Sequence, residues 1–262
     1  MTSHDVVHDG LRFRCALDGP EGAPWLVLSN SLVTDLSLWQ PQVDAFAGRF
    51  RILRYDQRGH GGTAVPDGPA TIALLAEDAA ALMRHFGVHG AVFTGVSMGA
   101  STGLCLAQRH PALVARLVMS DGQAATAPGG AAAWEGRIGI GQRGGMAAYA
   151  DATLPRWFAA RSRAEAHPAI PRVRAMIEAT PVAGFTACAR ALQGYDFRPG
   201  LGAMRQPVLL VAGEEDGAMP ATLQALASAV PGARYAEIPD AGHLPGIERP
   251  DAFNAALAAF LA

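Results

Sequence analysis

One short stretch constrains this chain more than any other part of it. Positions 93–100 read FTGVSMGA and contain a Gly-x-Ser-x-Gly pattern, with an apolar run before it and a small-residue run after it. This order predicts a strand, a sharp turn and a helix. Gly95 and Gly99 allow the tight turn because they carry no side chain, and the turn presents Ser97 exposed at the top of a sheet. A loop serine can simply form a turn, but the flanking strand and helix favour a nucleophile.

Length and charge indicate one large domain with a small-molecule partner. The chain has 262 residues, half of them apolar, which is enough for one α/β core with an insertion. Because 21 basic residues balance 23 acidic ones without a basic cluster, neither nucleic acid nor a membrane surface is expected as a partner. The start of the chain lacks a secretory pattern, so we expect a cytoplasmic protein. The cysteines lack disulfide or zinc spacing and are interpreted as reduced packing residues: Cys15, Cys105 and Cys188.

Apolar runs typical of buried parallel strands alternate with helical patterns along most of the chain. We predict strands at 25–29, 50–55, 91–93, 117–120, 207–213 and 234–238, and helices near 39–46, 71–86, 100–107 and 251–261. An earlier run at 11–17 meets a turn cluster at 18–24, which suggests a hairpin. From about 122 to 200 only helical patterns remain. We therefore predict a core formed by 1–121 and 201–262, with residues 122–200 inserted as a helical lid.

Two polar residues follow the last two predicted strands. A serine hydroxyl needs a histidine to accept its proton and a carboxylate to orient that histidine. Asp216 follows the strand at 207–213, and His243 follows the last strand. Both therefore lie at the carboxyl ends of parallel strands, where open sheets carry their sites. Either residue alone is commonly a loop former, but the order serine, acid, histidine predicts a catalytic triad of Ser97, Asp216 and His243.

Two other acids compete with Asp216 for the role of the carboxylate. Asp121 follows the preceding strand, where some enzymes of this architecture place their acid, and Glu215 is a weaker rival. Among the other histidines, His60 closes an Arg-Gly-His-Gly turn and is interpreted as structural.

The oxyanion of a tetrahedral intermediate needs two backbone N–H donors. We assign one to Met98, which follows the nucleophile at the positive end of its helix. We assign the other to Leu32, in the loop after the strand at 25–29, with Ser31 as the alternative. Leu32 is also compatible with an ordinary loop residue that contacts the lid.

Several motifs along the chain are those of a known family. They are LSNSL at 28–32 with TDL at 34–36 and Trp39, LRYD at 53–56 with RGHG at 58–61, GVSMG at 95–99, and in the lid Trp134, RI at 137–138, RWF at 156–158 and YDF at 195–197. With these the chain resembles the α/β-hydrolases and, more narrowly, the bacterial 3-oxoadipate enol-lactonases of the β-ketoadipate pathway. Val33 and Ala100 stand where that family commonly has glycine, and Val33 is expected to narrow the pocket.

The resemblance implies an α/β-hydrolase fold, with a mostly parallel eight-stranded sheet, helices on both faces and an inserted helical lid. It implies a small anionic lactone as substrate, with a five-membered ring and a carboxylate arm, and no metal or organic cofactor. The arm should meet a cation. Candidate substrate-binding residues are Trp134, Arg137, Arg156 and Trp157, with Arg161 and Arg163 as further cations. The alternatives are a carboxylesterase or perhydrolase of the same fold, and a noncatalytic protein that has kept the fold.

Overall fold

Eight strands form one sheet in the structure, a computed structural model that describes residues 2–262. In chain order they are β1 (Thr2–His8), β2 (Leu11–Asp18), β3 (Trp25–Ser29), β4 (Arg51–Tyr55), β5 (Ala91–Val96), β6 (Val114–Ser120), β7 (Val208–Gly213) and β8 (Arg234–Ile238). Their order across the sheet is β1-β2-β4-β3-β5-β6-β7-β8. β2 runs antiparallel to β1 and β4, while β3 to β8 pair in parallel. The predicted mostly parallel sheet is confirmed.

Helices cover both faces of the sheet. They are α1 (Gln40–Phe46), α2 (Ile72–His85), α3 (Met98–Arg109), α4 (Gly130–Trp157), α5 (Ala160–Ala164), α6 (Ala169–Ala179), α7 (Val182–Ala191), α8 (Met219–Ala229), α9 (Pro245–Glu248) and α10 (Pro250–Leu261), with 3-10 helices at Leu36–Trp39 and Arg198–Ala203. After β3 the chain continues to β4, which lies on one side of β3 in the sheet. After β4 it crosses back over β3 to β5, which lies on the other side. Because parallel crossovers are right-handed, this reversal puts α1 and α2 on opposite faces. Accordingly, α2 packs on α3, and α1 packs on α10.

The centre of the sheet explains the continuous apolar runs in the sequence. Every residue of β5 and β7 is buried, as expected for strands covered by helices on both faces. The strand order reverses at β3, between β4 and β5. Open α/β sheets bind their ligands beyond the carboxyl ends of strands near such a reversal. The turn after β5 therefore lies where a site is expected.

The N-terminal hairpin differs from the sequence-based expectation in the position of its turn. β1 and β2 pair around a turn formed by Asp9 and Gly10, both with positive φ, of 50° and 73°. Such a two-residue turn matches the twist of the strands. The predicted turn cluster at 18–24 connects β2 to β3 instead, and β2 pairs with β4. Turn residues indicate that the chain reverses, but strand partners are decided by tertiary packing.

Helices α4 to α7 occupy the segment between β6 and β7. Gly145 interrupts α4, because its φ of 76° and ψ of 179° are not helical. α4 packs on α6 and α7, and an antiparallel bridge between Ala125 and Asp196 joins the two ends of the segment. Within residues 2–262, none of the helices combines the length and apolar character needed to cross a membrane.

Candidate active site

The turn after β5 has the strained geometry that the sequence pattern predicts. Ser97 has φ 55° and ψ −113°, which L-residues rarely adopt. A Cβ at Gly95 would overlap the carbonyl of Gly99, and a Cβ at Gly99 would overlap the carbonyl of Ser29. The two glycines therefore let β5, α3 and the end of β3 approach closely. The Ser97 amide donates to the Ser120 carbonyl at 2.8 Å, which fixes the turn against β6.

A hydrogen bond joins His243 to Asp216 at the ends of β8 and β7. Nδ1 of His243 lies 2.7 Å from Oδ2 of Asp216, and both side chains are largely buried. The loops that carry them are tied together, because the Glu215 amide donates to the Ala241 carbonyl at 2.8 Å. A bond to the carboxylate requires the proton on Nδ1, which leaves Nε2 as a proton acceptor. This is the arrangement in which an imidazole acts as a general base.

Both rival acids have other partners. Asp121 is only 2% exposed; its Oδ1 accepts a hydrogen bond from the Gly213 amide at 2.9 Å and its Oδ2 accepts one from the Ser120 hydroxyl at 2.6 Å. Glu215 accepts a hydrogen bond from the Ala160 amide at 2.8 Å. Of the three acids considered from the sequence, Asp216 is therefore the one whose carboxylate orients the imidazole.

One acid that the sequence did not single out fixes the histidine loop. Glu248 is 1% exposed and accepts hydrogen bonds from the Gly242 amide at 2.7 Å and from the Ala159 amide at 2.9 Å. It thus joins the loop before His243 to the chain just after α4. The His243 amide also donates to the Trp157 carbonyl at 2.8 Å, and the two rings lie 5.2 Å apart at 30°. In the sequence Glu248 looks like an ordinary acid at a helix start, so no signal marks it.

A cavity of about 700 Å³ brings most of the predicted site residues together. It is lined by the predicted triad Ser97, Asp216 and His243, by the rival acids Asp121 and Glu215, by Leu32, and by Trp134, Arg137, Arg156, Trp157 and Arg163. Arg161 lies outside it, because its exposed guanidinium pairs with Glu165 at 3.0 Å and Asp240 at 3.2 Å. The cavity is lined both by the ends of the strands and by the helical segment, so a ligand in it would contact both.

Arg137 is the most deeply placed cation in this cavity. Its guanidinium lies 4.5 Å from the centre of the Trp134 ring, in a cation–π contact. Within residues 2–262 it forms no ion pair with a carboxylate. Burial, and then repulsion from the nearby Arg156, lower the pKa of Arg137. A half-buried guanidinium beside a second cation favours an anionic ligand between them.

The loop after β3 is held in place by buried polar bonds. Gln57 donates to the Asn30 carbonyl at 2.6 Å, and the Asn30 side chain donates to the Tyr55 carbonyl at 3.1 Å. Leu32, the predicted oxyanion donor, lines the cavity together with Ser97. Its amide donates to no acceptor within residues 2–262 and is therefore available to a ligand.

Met98, the other predicted oxyanion donor, and Val33, which follows Leu32, are both fully buried. Met98 is fully buried and begins α3, so its amide has no carbonyl partner within the helix. Val33 is also fully buried and, within residues 2–262, is not part of the cavity wall. The expected narrowing of the pocket by Val33 is therefore wrong, because its side chain packs into the core.

The described part of the chain offers no metal site. Within residues 2–262, no three His, Cys, Asp or Glu side chains are grouped so that they could hold an ion. The cavity is lined by Ser97 at its strained turn, by the imidazole that bonds to Asp216, by Leu32 and by cations, and the helix that begins at Met98 follows Ser97 directly. This set of groups suits acyl transfer to water on an anionic substrate.

Comparisons with known proteins agree with this architecture. The alpha/beta hydrolase fold family matches residues 24–250. The chain is 31% identical to 3-oxoadipate enol-lactonase 2 of Acinetobacter baylyi, over 100% of this chain and 95% of that one. It is 31% identical to the putative carbamate hydrolase RutD of a Caulobacter species, over 90% of each. The crystal structure of the enol-lactonase from Burkholderia xenovorans LB400 matches with a TM-score of 0.93 and 38% identity, over 98% of this chain and 99% of that one. The chain therefore belongs to the alpha/beta hydrolase family.

Proposed function

We propose that this protein is a serine hydrolase that opens the ring of 3-oxoadipate enol-lactone with water. The observation that carries the proposal is the 2.7 Å bond between His243 and Asp216 at a cavity that Ser97 also lines. These three residues supply the nucleophile, the base and the carboxylate that acyl transfer requires.

The chemistry runs in two halves. Ser97 Oγ attacks the lactone carbonyl while Nε2 of His243 accepts its proton, and Asp216 stabilises the resulting imidazolium. The amides of Leu32 and Met98 donate to the oxyanion. The ring C–O bond then breaks, the leaving oxygen takes the proton from His243, and the resulting enol becomes a ketone. Water, deprotonated by His243, attacks the acyl-serine and releases the acid and Ser97.

The cationic lid side of the cavity supports an anionic lactone. Arg137, Arg156 and Arg163 line the cavity from the helical segment, whereas its acids Asp121, Glu215 and Asp216 follow the strands. A bidentate contact from Arg137 to a carboxylate would hold the arm of the substrate while its ring lies at Ser97. Trp134 and Trp157, which also line the cavity, would pack against the lactone ring. The enol-lactonase names of the Acinetobacter relative and the Burkholderia structure support the same substrate.

The direct test follows the ultraviolet absorbance of the enol-lactone, generated in situ, after addition of the purified protein. We expect the absorbance to fall with saturable kinetics. Ser97→Ala should lower kcat by about four orders of magnitude or more while the protein stays folded. Activity of the variant within about tenfold of the unmodified protein would remove Ser97 from the mechanism.

A second candidate substrate is another small ester, lactone or carbamate. The 31% identity to a putative carbamate hydrolase is as high as that to the curated enol-lactonase, although it covers less of the chain. Parallel assays of the enol-lactone, short p-nitrophenyl esters and a simple carbamate distinguish the candidates. We expect the highest kcat/KM for the enol-lactone; a higher value for either other class would transfer the assignment to it.

A further inference from the structure

Gln57 is a buried polar residue that the proposed mechanism does not use. It lies two residues after the end of β4, is 2% exposed, and its side-chain nitrogen donates to the Asn30 carbonyl at 2.6 Å. Asn30 is the first residue after β3, and Leu32, whose amide the mechanism assigns to the oxyanion, is two residues further along. Gln57 does not line the cavity. Its bond therefore acts on the loop that carries Leu32 and not on a ligand.

Asn30 lies against the turn of the nucleophile. A Cβ added at Gly99 would come within 2.8 Å of the Asn30 carbonyl oxygen. Gly99 directly follows Met98, which carries the second proposed oxyanion donor. The carbonyl that accepts from Gln57 is thus packed against the start of α3. Its position limits how closely the loop of Leu32 approaches the two donors' common target.

The turn that carries Gln57 is a firm support. The backbones of Gly59 and of Gly184 on α7 are so close that a Cβ on either glycine would overlap the other. Asp56, the residue before Gln57, accepts a hydrogen bond from the Leu36 amide at 2.6 Å, beyond the far end of the same loop. Two consecutive side chains therefore hold the loop on both sides of Leu32. Buried support of this kind lets a site keep its geometry to within a fraction of an ångström.

We propose that Gln57 is a positioning residue of the oxyanion hole: its N–H group fixes the Asn30 carbonyl and thereby the place of the Leu32 amide. The inference rests on the proposed function. A carbonyl only accepts hydrogen bonds, so the side chain at this position must supply a donor. The oxyanion exists in the transition state and not in the bound ester, so loss of this donor affects kcat more than KM.

Kinetics on p-nitrophenyl acetate test the role of Gln57 without depending on the natural substrate. We expect Gln57→Met, which keeps the length of the side chain but removes the donor, to lower kcat by about tenfold and to change KM by less than about threefold. Gln57→Glu has the same shape but an oxygen opposite the Asn30 carbonyl, and it should lower kcat at least as much.

Inhibition by trifluoroacetone measures the oxyanion hole separately from turnover. The Ser97 oxygen adds to its carbonyl carbon, His243 takes the hydroxyl proton, and the former carbonyl oxygen becomes an oxyanion. We expect Gln57→Met to raise the inhibition constant by about the factor by which kcat/KM falls, as for an analogue of the transition state. A lower kcat with an unchanged inhibition constant would overturn the proposal.

The matched control is Gln108→Met, the same substitution at the other end of α3. The Gln108 side chain donates to the Phe197 carbonyl at 3.0 Å, and Gln108 does not line the cavity. Gln108→Met should leave kcat and the inhibition constant within about twofold of the unmodified protein. Equal losses in Gln57→Met and Gln108→Met would overturn the proposal, and so would failure of both Gln57 variants to fold.

Ser97→Ala in the same ester assay separates this inference from the proposed function. If Ser97→Ala hydrolyses the ester as fast as the unmodified protein, the proposed function fails. If Ser97→Ala is inactive while Gln57→Met and Gln57→Glu keep full kcat, the proposed function stands and the role of Gln57 fails.

Discussion

Ser97, in the cavity wall, and Val33, in the loop after β3, hold left-handed backbone conformations that their side chains disfavour. Ser97 has φ 55° and Val33 has φ 58°. The left-handed region costs a non-glycine residue about 1–2 kcal/mol, and a β-branched side chain is among the least tolerant. Complete burial of the Val33 side chain in the core offsets the strain in this chain.

Arg137 provides the prediction that belongs to a single side chain. We expect Arg137→Ala to raise KM for the anionic lactone by about 10- to 100-fold, because a charged hydrogen bond to the carboxylate is lost. KM for a neutral p-nitrophenyl ester should change by less than about threefold. Steady-state kinetics on both substrates measure the difference.

The matched control is Arg161→Ala, which removes an arginine of the same helical segment outside the cavity. It should leave both KM values unchanged. Equal effects of Arg137→Ala on the anionic and the neutral substrate would contradict a carboxylate contact.

At the scale of elements, the histidine loop and the helical segment are connected by one carboxylate. Glu248, at the end of α9, accepts from amides on both sides of this junction. The direct bond from the His243 amide to the Trp157 carbonyl lies beside it. The position of the base thus depends on the end of α4 as well as on the sheet.

We expect Glu248→Ala to lower the free energy of unfolding by about 3 kcal/mol, since two buried amides lose their acceptor. It should also lower kcat, because the loop before His243 is released. Glu248→Gln keeps one acceptor oxygen, so its stability and kcat should lie between those of the unmodified protein and those of Glu248→Ala. Chemical denaturation and ester hydrolysis measure both effects.

Glu165→Ala is the control for a nearby acid whose ion pair with Arg161 is exposed. It should change stability by less than about 0.5 kcal/mol, because a solvated pair contributes little. Should Glu248→Ala behave like Glu165→Ala, the junction would not depend on this carboxylate.

At the scale of the whole molecule, two buried groups in one turn give opposite dependences of stability on pH. Burial lowers the pKa of His60 from 6.5 to about 4, and its ring nitrogen Nδ1 bonds to the Arg58 carbonyl. The unfolded chain therefore takes up a proton first as the pH falls from 6.5 to 4, and stability is lost in that window. Burial raises the pKa of Asp56 from 3.8 to about 6, so its contribution to stability rises as the pH falls from 6 to 4.

Because the two contributions oppose each other, the effect of His60 is isolated by comparing the unfolding free energy of the unmodified protein with that of a His60 variant. The unfolding free energy of the unmodified protein, minus that of His60→Asn, should fall by about 3 kcal/mol between pH 7 and pH 4. Urea denaturation at the two pH values gives this quantity. A constant difference for His60→Asn would show that the buried ring takes up its proton in the fold as readily as in water.

Much of the architecture was predictable because the relevant signals are local. Apolar runs identified the parallel strands, and the Gly-x-Ser-x-Gly pattern identified the strained turn at Ser97. The hairpin turn at Asp9 and Gly10 was missed although the Asp-Gly pair was visible.

By itself, the sequence determined the residue types and their order: a serine between glycines, then an acid and a histidine, each after an apolar strand. The tertiary structure decided which of these groups meet. It brought His243 to Asp216 and gave Asp121 other partners, put Arg137 in the cavity and Arg161 on the surface, and buried Glu248 at a junction. The physical reason is that strands and turns follow from local sterics and hydrophobic periodicity. The partner of a polar side chain depends on distance, burial and charge, which exist only after distant segments have packed together.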